Sequence, residues 1–261
     1  MTKSVPRRKQ KNELCSKLQT RHKYDETAFS RSRRALSNKT AVQLLCLQAI
    51  RWASRQTRLN LLDGSGKKAI DIGCAYGYVV SLLNQLNYDA FGLDISRYVL
   101  ETGEKVNSLQ GDAQSLPIKS NSIHLITCFD TLEHLKRPDL LVKESYRCLH
   151  PEGVFIAENP IANPIDHVSD KLHKMDEIHP SLLTYNEIVF KVKKAGFHTT
   201  KRGLLPIPFQ RFPLFGRFFE IEVPTSVARR IIIVAVKTKL TKTTESKPAM
   251  KDILHQKRGY D

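Results

Sequence analysis

Three aspartates stand at comparable places in this chain: Asp71 in KKAIDIGCAYGYVVSLL, Asp94 in AFGLDIS and Asp112 in LQGDAQSLP. Each closes an apolar run short enough to be a buried strand, so the three carboxylates are expected to gather at one edge of a sheet. After Asp71 comes a turn of small residues, Gly73-Cys74-Ala75-Tyr76-Gly77, whose two glycines allow positive φ and close backbone approach. In an open parallel sheet, ligands bind beyond the carboxyl ends of the strands, where helix N-termini offer free N–H groups. An acid ending the second strand, 23 residues on at Asp94, suits the two hydroxyls of a ribose. A dinucleotide fits poorly. Its pyrophosphate needs Gly-x-Gly-x-x-Gly, and the final position counted from Gly73 is Tyr78. So many carboxylates would also repel it, and the expected ligand is a nucleoside that is cationic or neutral.

A second constellation lies in CFDTLEHLKRPD, where Asp130 and Glu133 are three apart and His134 is adjacent. Such groups could serve an acceptor as a general base. They could also hold Mg²⁺ or Mn²⁺ if further ligands joined them. Acids near a helix start are equally favoured by the helix dipole alone. His179, in DEIHPSLLTYNEI, is a further candidate base or ligand, or orients the loop before the next helix. His167 and His173 are placed less clearly.

Taken together these stretches resemble the class I S-adenosylmethionine-dependent methyltransferases, over roughly Ala69 to Lys237. AIDIGCAYGYVVSLL resembles their first motif and FGLDIS their second. GDAQSLPIKSNSIHLITCFDTLEHL resembles the third and fourth, and CLHPEGVFIAENP the turn and strand that follow. The resemblance implies S-adenosylmethionine as cofactor. Asp71 and the backbone at Gly73, Ala75 and Gly77 would hold its methionine end, Asp94 its ribose, and Asp112 with Ala113 its adenine edge. Cys74, Ile95 and Phe129 are further implied binding positions. Ala75 stands where many members have Gly. CFDTLEHL is also similar to the acid-x-x-Glu-His clusters of methyltransferases of ubiquinone biosynthesis and of small-RNA terminal ribose. Those clusters bind a divalent metal, but here the first acid is Asp130, shorter than their Glu.

The elements that must position these residues follow from periodicity. Residues 41–62 keep apolar side chains near a 3.6 period, an amphipathic helix entered from Ser37-Asn38 and stopped by DGSG. Strands are then expected at 68–72, 90–94, 106–110, 123–129 and 153–158, with helices at 77–87, 96–104 and 131–149 between them. Such alternation gives βαβ units, hence an α/β fold: a doubly wound, mostly parallel, seven-stranded Rossmann-like sheet with helices on both faces. A loop-rich stretch over 160–182 precedes a helix at 184–195, and strands at 198–204 and 229–237 look like a terminal pair. The intervening 204–228, with five Phe among Pro and Arg, is a crossover, a cap over a lipophilic substrate, or a membrane contact with Arg202, Arg211 and Arg217 at the headgroups.

Charge divides the chain further. Residues 1–60 hold 15 Lys/Arg against 3 Asp/Glu, and 237–261 hold 7 against 3. The body between them is neutral, with 20 of each. The expected organisation is a basic arm (1–40), disordered or peripherally docked, a methyltransferase domain (41–237) and a basic tail (238–261). The arm is a solubilising tail, a contact for RNA or an anionic membrane, or a targeting peptide, the last weakened by Glu13, Asp25 and Glu26. No apolar run approaches the roughly 18 residues of a transmembrane span. Five scattered cysteines without a Cys-x-x-Cys pair point to a reducing, cytoplasmic setting. The neutral body and apolar insert favour a small-molecule or lipid-like acceptor, with RNA methylation and a non-catalytic binding protein as alternatives.

Overall fold

The computed structural model describes residues 38–161, 183–207, 219–224, 228 and 230–238. It opens with helix α1 (Lys39–Thr57), capped by the Asn38 side chain, which accepts from the Ala41 N–H. Cys46, Ala49, Ile50 and Ala53 form its buried stripe. The helix ends before the expected 62 because Arg58 adopts the left-handed conformation, φ 58°. Then follow β1 (Lys68–Ile72), α2 (Tyr78–Gln85), β2 (Asp89–Asp94), α3 (Arg97–Thr102), β3 (Ser108–Gln110) and β4 (Ile123–Phe129). After a 3₁₀ turn (Leu132–His134) come α4 (Pro138–Cys148), β5 (Leu149–Pro160), α5 (Tyr185–Lys194), β6 (His198–Ile207), β7 (Phe219–Glu222) and β8 (Arg230–Val236).

The helix expected over 131–149 is therefore two elements. Pro138 has no N–H to continue a helix and disfavours helical geometry at Arg137, which sits at φ −130°, ψ 69°. Pro138 instead supplies the first turn of α4.

The strands form one sheet in the order β3-β2-β1-β4-β5-β8-β6-β7. The five from β3 to β5 run parallel, and β8 joins β5 antiparallel. The expected terminal pairing of β6 with β8 is present. An eighth strand, β7, extends the sheet by pairing with β6. It comes from the Phe-rich 204–228 stretch, most of which lies outside the described residues.

Side-chain alternation gives the sheet two cores. Ile70, Phe155, Phe197, Ile231, Ile233 and the inner faces of α4 and α5 fill one side. Ala69, Val154, Ile156, Ile232, Val234 and the inner faces of α1 and α2 fill the other. Cys46, Cys74, Cys128 and Cys148 are buried and free. Among the described residues, no helix is long and apolar enough to cross a membrane.

Candidate functional site

Strand order reverses direction between β1 and β4, which creates a crevice at their carboxyl ends. Asp71 of β1 and Thr127 of β4 face each other across that point in register. The Thr127 hydroxyl donates to Asp71 Oδ1 at 2.7 Å. Asp71 was expected to project into the crevice. It lies instead 3% exposed beneath the turn, bonded sideways to β4. Burial pushes its pKa up to about 7, against the Thr127 hydrogen bond, with Asp94 adding a smaller upward push.

Above Asp71 the backbone turns sharply. Gly73 has φ 76°, Ala75 φ 43° and Gly77 φ 78°. A Cβ on Gly73 would lie 2.2 Å from Thr131 Oγ1, and one on Gly77 would lie 2.7 Å from Val106 Cγ2. Glycine is therefore required at both places by space as well as conformation. Ala75 accepts the left-handed region at a cost of about 1 kcal/mol. The turn hangs on the end of β2: Gly73 N and Cys74 N both donate to the Leu93 carbonyl, at 2.7 and 3.1 Å. Asp94 Oδ2 accepts from Ala75 N at 2.9 Å and Oδ1 from Ser96 N at 2.8 Å. Its buried carboxyl is held above the ordinary range by desolvation, which these N–H donors and that of Ile95 oppose. Of the roughly four lone-pair sites on the carboxylate, capacity remains for a hydroxyl donor.

β3 is tied to the same edge, with Gly111 N donating to the Asp94 carbonyl at 2.9 Å and Gln110 Nε2 to the Ile95 carbonyl at 3.1 Å. Asp112 Oδ1 accepts from Gln114 N at 2.9 Å, and Ala113 is buried beside it. The loop is fixed to α4 through Leu116 N, which donates to Glu144 Oε2. Helix α1 braces the other side: Gln43 Nε2 donates to the Tyr78 carbonyl at 3.0 Å, and Lys39 pairs with Glu104 at 2.8 Å. Phe129 packs, half-buried, against the α1-side core.

The second constellation sits where β4 and β5 end and β8 begins. Asp130 is left-handed, φ 47°, and its N–H donates to the Glu158 carbonyl at 2.9 Å. Arg230 bridges two acids, donating to Asp130 Oδ1 at 2.6 Å and to Glu158 Oε1 at 2.8 Å. Burial opposes the guanidinium's charge, but the two carboxylates outweigh it and raise its pKa. Glu133 is buried, and its Oε2 accepts from the Asn159 side chain. Desolvation first, then Asp130, pushes its pKa up to about 8, opposed by its own backbone N–H, Asn159 and Arg230. His134 donates its backbone N–H to the Thr131 carbonyl at 3.1 Å.

Asp130 engages Arg230 and Glu133 engages Asn159. Among the described residues no three His, Cys, Asp or Glu side chains come together as a metal group, so this geometry does not assemble Asp130, Glu133 and His134 as ligands. Thr127, Glu158, Asn159 and Arg230 are members of the site that sequence reasoning missed. His167, His173 and His179 lie outside the described residues.

Residues 70–157 match the family model described as a methyltransferase domain. A probable S-adenosylmethionine-dependent methyltransferase of Mycolicibacterium smegmatis is 26% identical over 137 residues, covering 51% of this chain and 52% of that protein. A ubiquinone biosynthesis O-methyltransferase of Cupriavidus pinatubonensis is 31% identical over 114 residues, covering 38% and 46%. The chain thus spans about half the length of these curated relatives. Among solved structures, a possible histamine N-methyltransferase of Thermotoga maritima superposes with TM-score 0.63 at 19% identity, over 84% of this chain and 100% of its own. Magnesium protoporphyrin IX methyltransferase of Synechocystis, solved with bound SAH, gives 0.59 at 18%, over 85% and 99%. These two share the fold.

Proposed function

We propose that this chain, whose residues 70–157 belong to the methyltransferase domain family, transfers a methyl group from S-adenosylmethionine to a small-molecule or lipid-like acceptor by in-line displacement. The carrying observation is the crevice itself: a left-handed turn suspended from Asp94, above a buried Asp71, in a sheet of the class I fold. When bound, the cofactor supplies a methyl group already activated on a cationic sulfur. Glycine-lined space at 73 and 77, the remaining acceptor capacity of Asp94, and the Asp112–Ala113 edge fit an amino-acid tail, a ribose and an adenine in turn. Asp71 favours a cation above the turn once it is ionised. The protein's share of catalysis is alignment and exclusion of water.

On the acceptor side, Glu133 is the candidate proton acceptor, and Asp130 with Arg230 shapes the wall beside it. The small-molecule reading is supported by the neutral charge of 61–236 and by relatives named for ubiquinone biosynthesis.

Calorimetric titration with S-adenosylmethionine tests the donor. Wild type should bind, and Asp94→Ala should bind on the order of 100-fold more weakly, having lost charge-assisted hydrogen bonds. A folded wild-type chain that gives no binding overturns the reading. Incubation with labelled cofactor and separate lipid, small-metabolite and RNA extracts tests the acceptor. Label entering RNA alone would overturn the acceptor class and leave the donor standing.

A further inference from the structure

Helix α1 has a second face that neither core uses. Opposite its buried stripe it leaves Leu44 46% exposed, with Arg51 and Arg55 also exposed. Past the helix end Arg58 is exposed, and Leu59 and Leu62 are 37% and 38% exposed. These three leucines are among only five large apolar side chains so exposed among the described residues. The arginines make no ion pair among the described residues, whose salt bridges all involve other cations. No Asp or Glu occurs from Thr27 to Leu62, and the first acid beyond is Asp63, which accepts from Ser65. The face is also continuous in sequence with residues 1–37, which hold 11 Lys/Arg against 3 acids.

A neutral body with one such face calls for a polyanion, and the side chains between the arginines decide which. A nucleic acid would be met by phosphate contacts supported by aromatic rings that stack on its bases. Here Gln48 and Gln56 are exposed on α1 among the guanidiniums, but no aromatic ring from Asn38 to Leu62 is exposed, and the large exposed side chains are leucines, which gain nothing from phosphates. Basic side chains at headgroup level with aliphatic ones below them match the interface of an anionic bilayer. We propose that the outer face of α1, with Arg51, Arg55, Arg58, Leu44, Leu59 and Leu62, docks the protein on an anionic membrane surface. The Gln43–Tyr78 and Lys39–Glu104 contacts tie the inward side of the same helix to the turn that precedes α2. The proposal does not depend on which acceptor is methylated, because it is read out as binding.

The test is co-sedimentation of the full chain with phosphatidylcholine vesicles, with and without phosphatidylserine, across a salt series. Wild type should bind only the charged vesicles. Replacing the three arginines together (Arg51→Gln, Arg55→Gln, Arg58→Gln) should lower partitioning on the order of 100-fold. Replacing the leucines (Leu44→Ser, Leu59→Ser, Leu62→Ser) should lower it on the order of 10-fold and leave the remaining binding more salt-sensitive. Circular dichroism and cofactor titration verify that both variants remain folded. Unchanged partitioning of either variant overturns the proposal, since the N-terminal charge alone would then account for binding. A wild-type chain that ignores charged vesicles, whether or not it binds single-stranded RNA, overturns it as well.

Discussion

Asp71 and Asp94 are both buried aspartates at strand ends, yet their surroundings give them different work. Asp94 is held by two backbone N–H groups and can act through direct hydrogen bonds. Asp71 has one hydroxyl partner and a pKa near 7, so its charge is a variable. The sign of the consequence follows from linkage. Its folded pKa is raised above the unfolded value of 3.8, so from about pH 4 to 7 the folded state retains a proton that the unfolded state has lost. Stability therefore falls as pH rises through that window, by at most about 1.4 kcal/mol per pH unit from this group. Cofactor binding should move oppositely, strengthening as Asp71 ionises toward pH 8. In Asp71→Asn, denaturant titrations at several pH values should show this part of the slope gone, and cofactor affinity should be flat across pH 6 to 8. An unaltered affinity profile would remove Asp71 from any electrostatic role. Both aspartates were legible in the sequence as ends of apolar runs. That Asp94 would hold the turn through backbone N–H groups while Asp71 lies buried against β4 was not, because strand parity leaves open how deep a side chain sits below a turn.

At the scale of elements, Arg230 fastens the start of β8 to the ends of β4 and β5. The two arms of this clamp are unequal. The Glu158 side chain is 5% exposed and the Asp130 side chain 57%. Solvent screens the outer pair, whereas an uncompensated Glu158 would keep a buried charge. Arg230→Met should therefore destabilise the protein by about 3 kcal/mol, and Asp130→Asn by less than about 1 kcal/mol. Urea midpoints of the two variants check the ordering. Comparable losses would mean that the outer pair is the one that matters. Arg230 stands 100 residues from Asp130, and nothing in RRIIIVAVK marks one arginine as a partner for a distant acid. The break before α4 was legible, since Pro138 carries it. It was obscured by the apolar pattern on both sides, which keeps helical spacing across the interruption. Strand β7, Phe219–Glu222, does alternate apolar and acidic residues, but four residues are too short a run to stand out from the Phe- and Pro-rich stretch before it.

For the whole molecule, the same strands serve two cores. Along β8, Ile231, Ile233 and Ala235 face α4 and α5, while Ile232 and Val234 face α1 and α2. Along β5, Phe155 and Ala157 point one way and Val154 and Ile156 the other. Neither helical layer can lose its packing without exposing the reverse face of strands on which the other depends, so the sheet should couple them into one cooperative unit. The sequence supplies a probe for this coupling. Trp52, the single tryptophan, is on α1 and packs against the α1-side core. Phe155, fully buried, packs at 5.8 Å ring separation from Phe197 in the opposite core. Phe155→Ala removes a large side chain from a site closed on all sides and should cost about 3–5 kcal/mol. If the sheet transmits this loss, Trp52 fluorescence and far-ultraviolet circular dichroism should report the same lowered midpoint, in a single transition, although the mutation lies across the sheet from the tryptophan. A fluorescence midpoint that stays at the wild-type value while the dichroism midpoint falls would show that the two faces unfold independently, and that α1 holds its place without the core behind it.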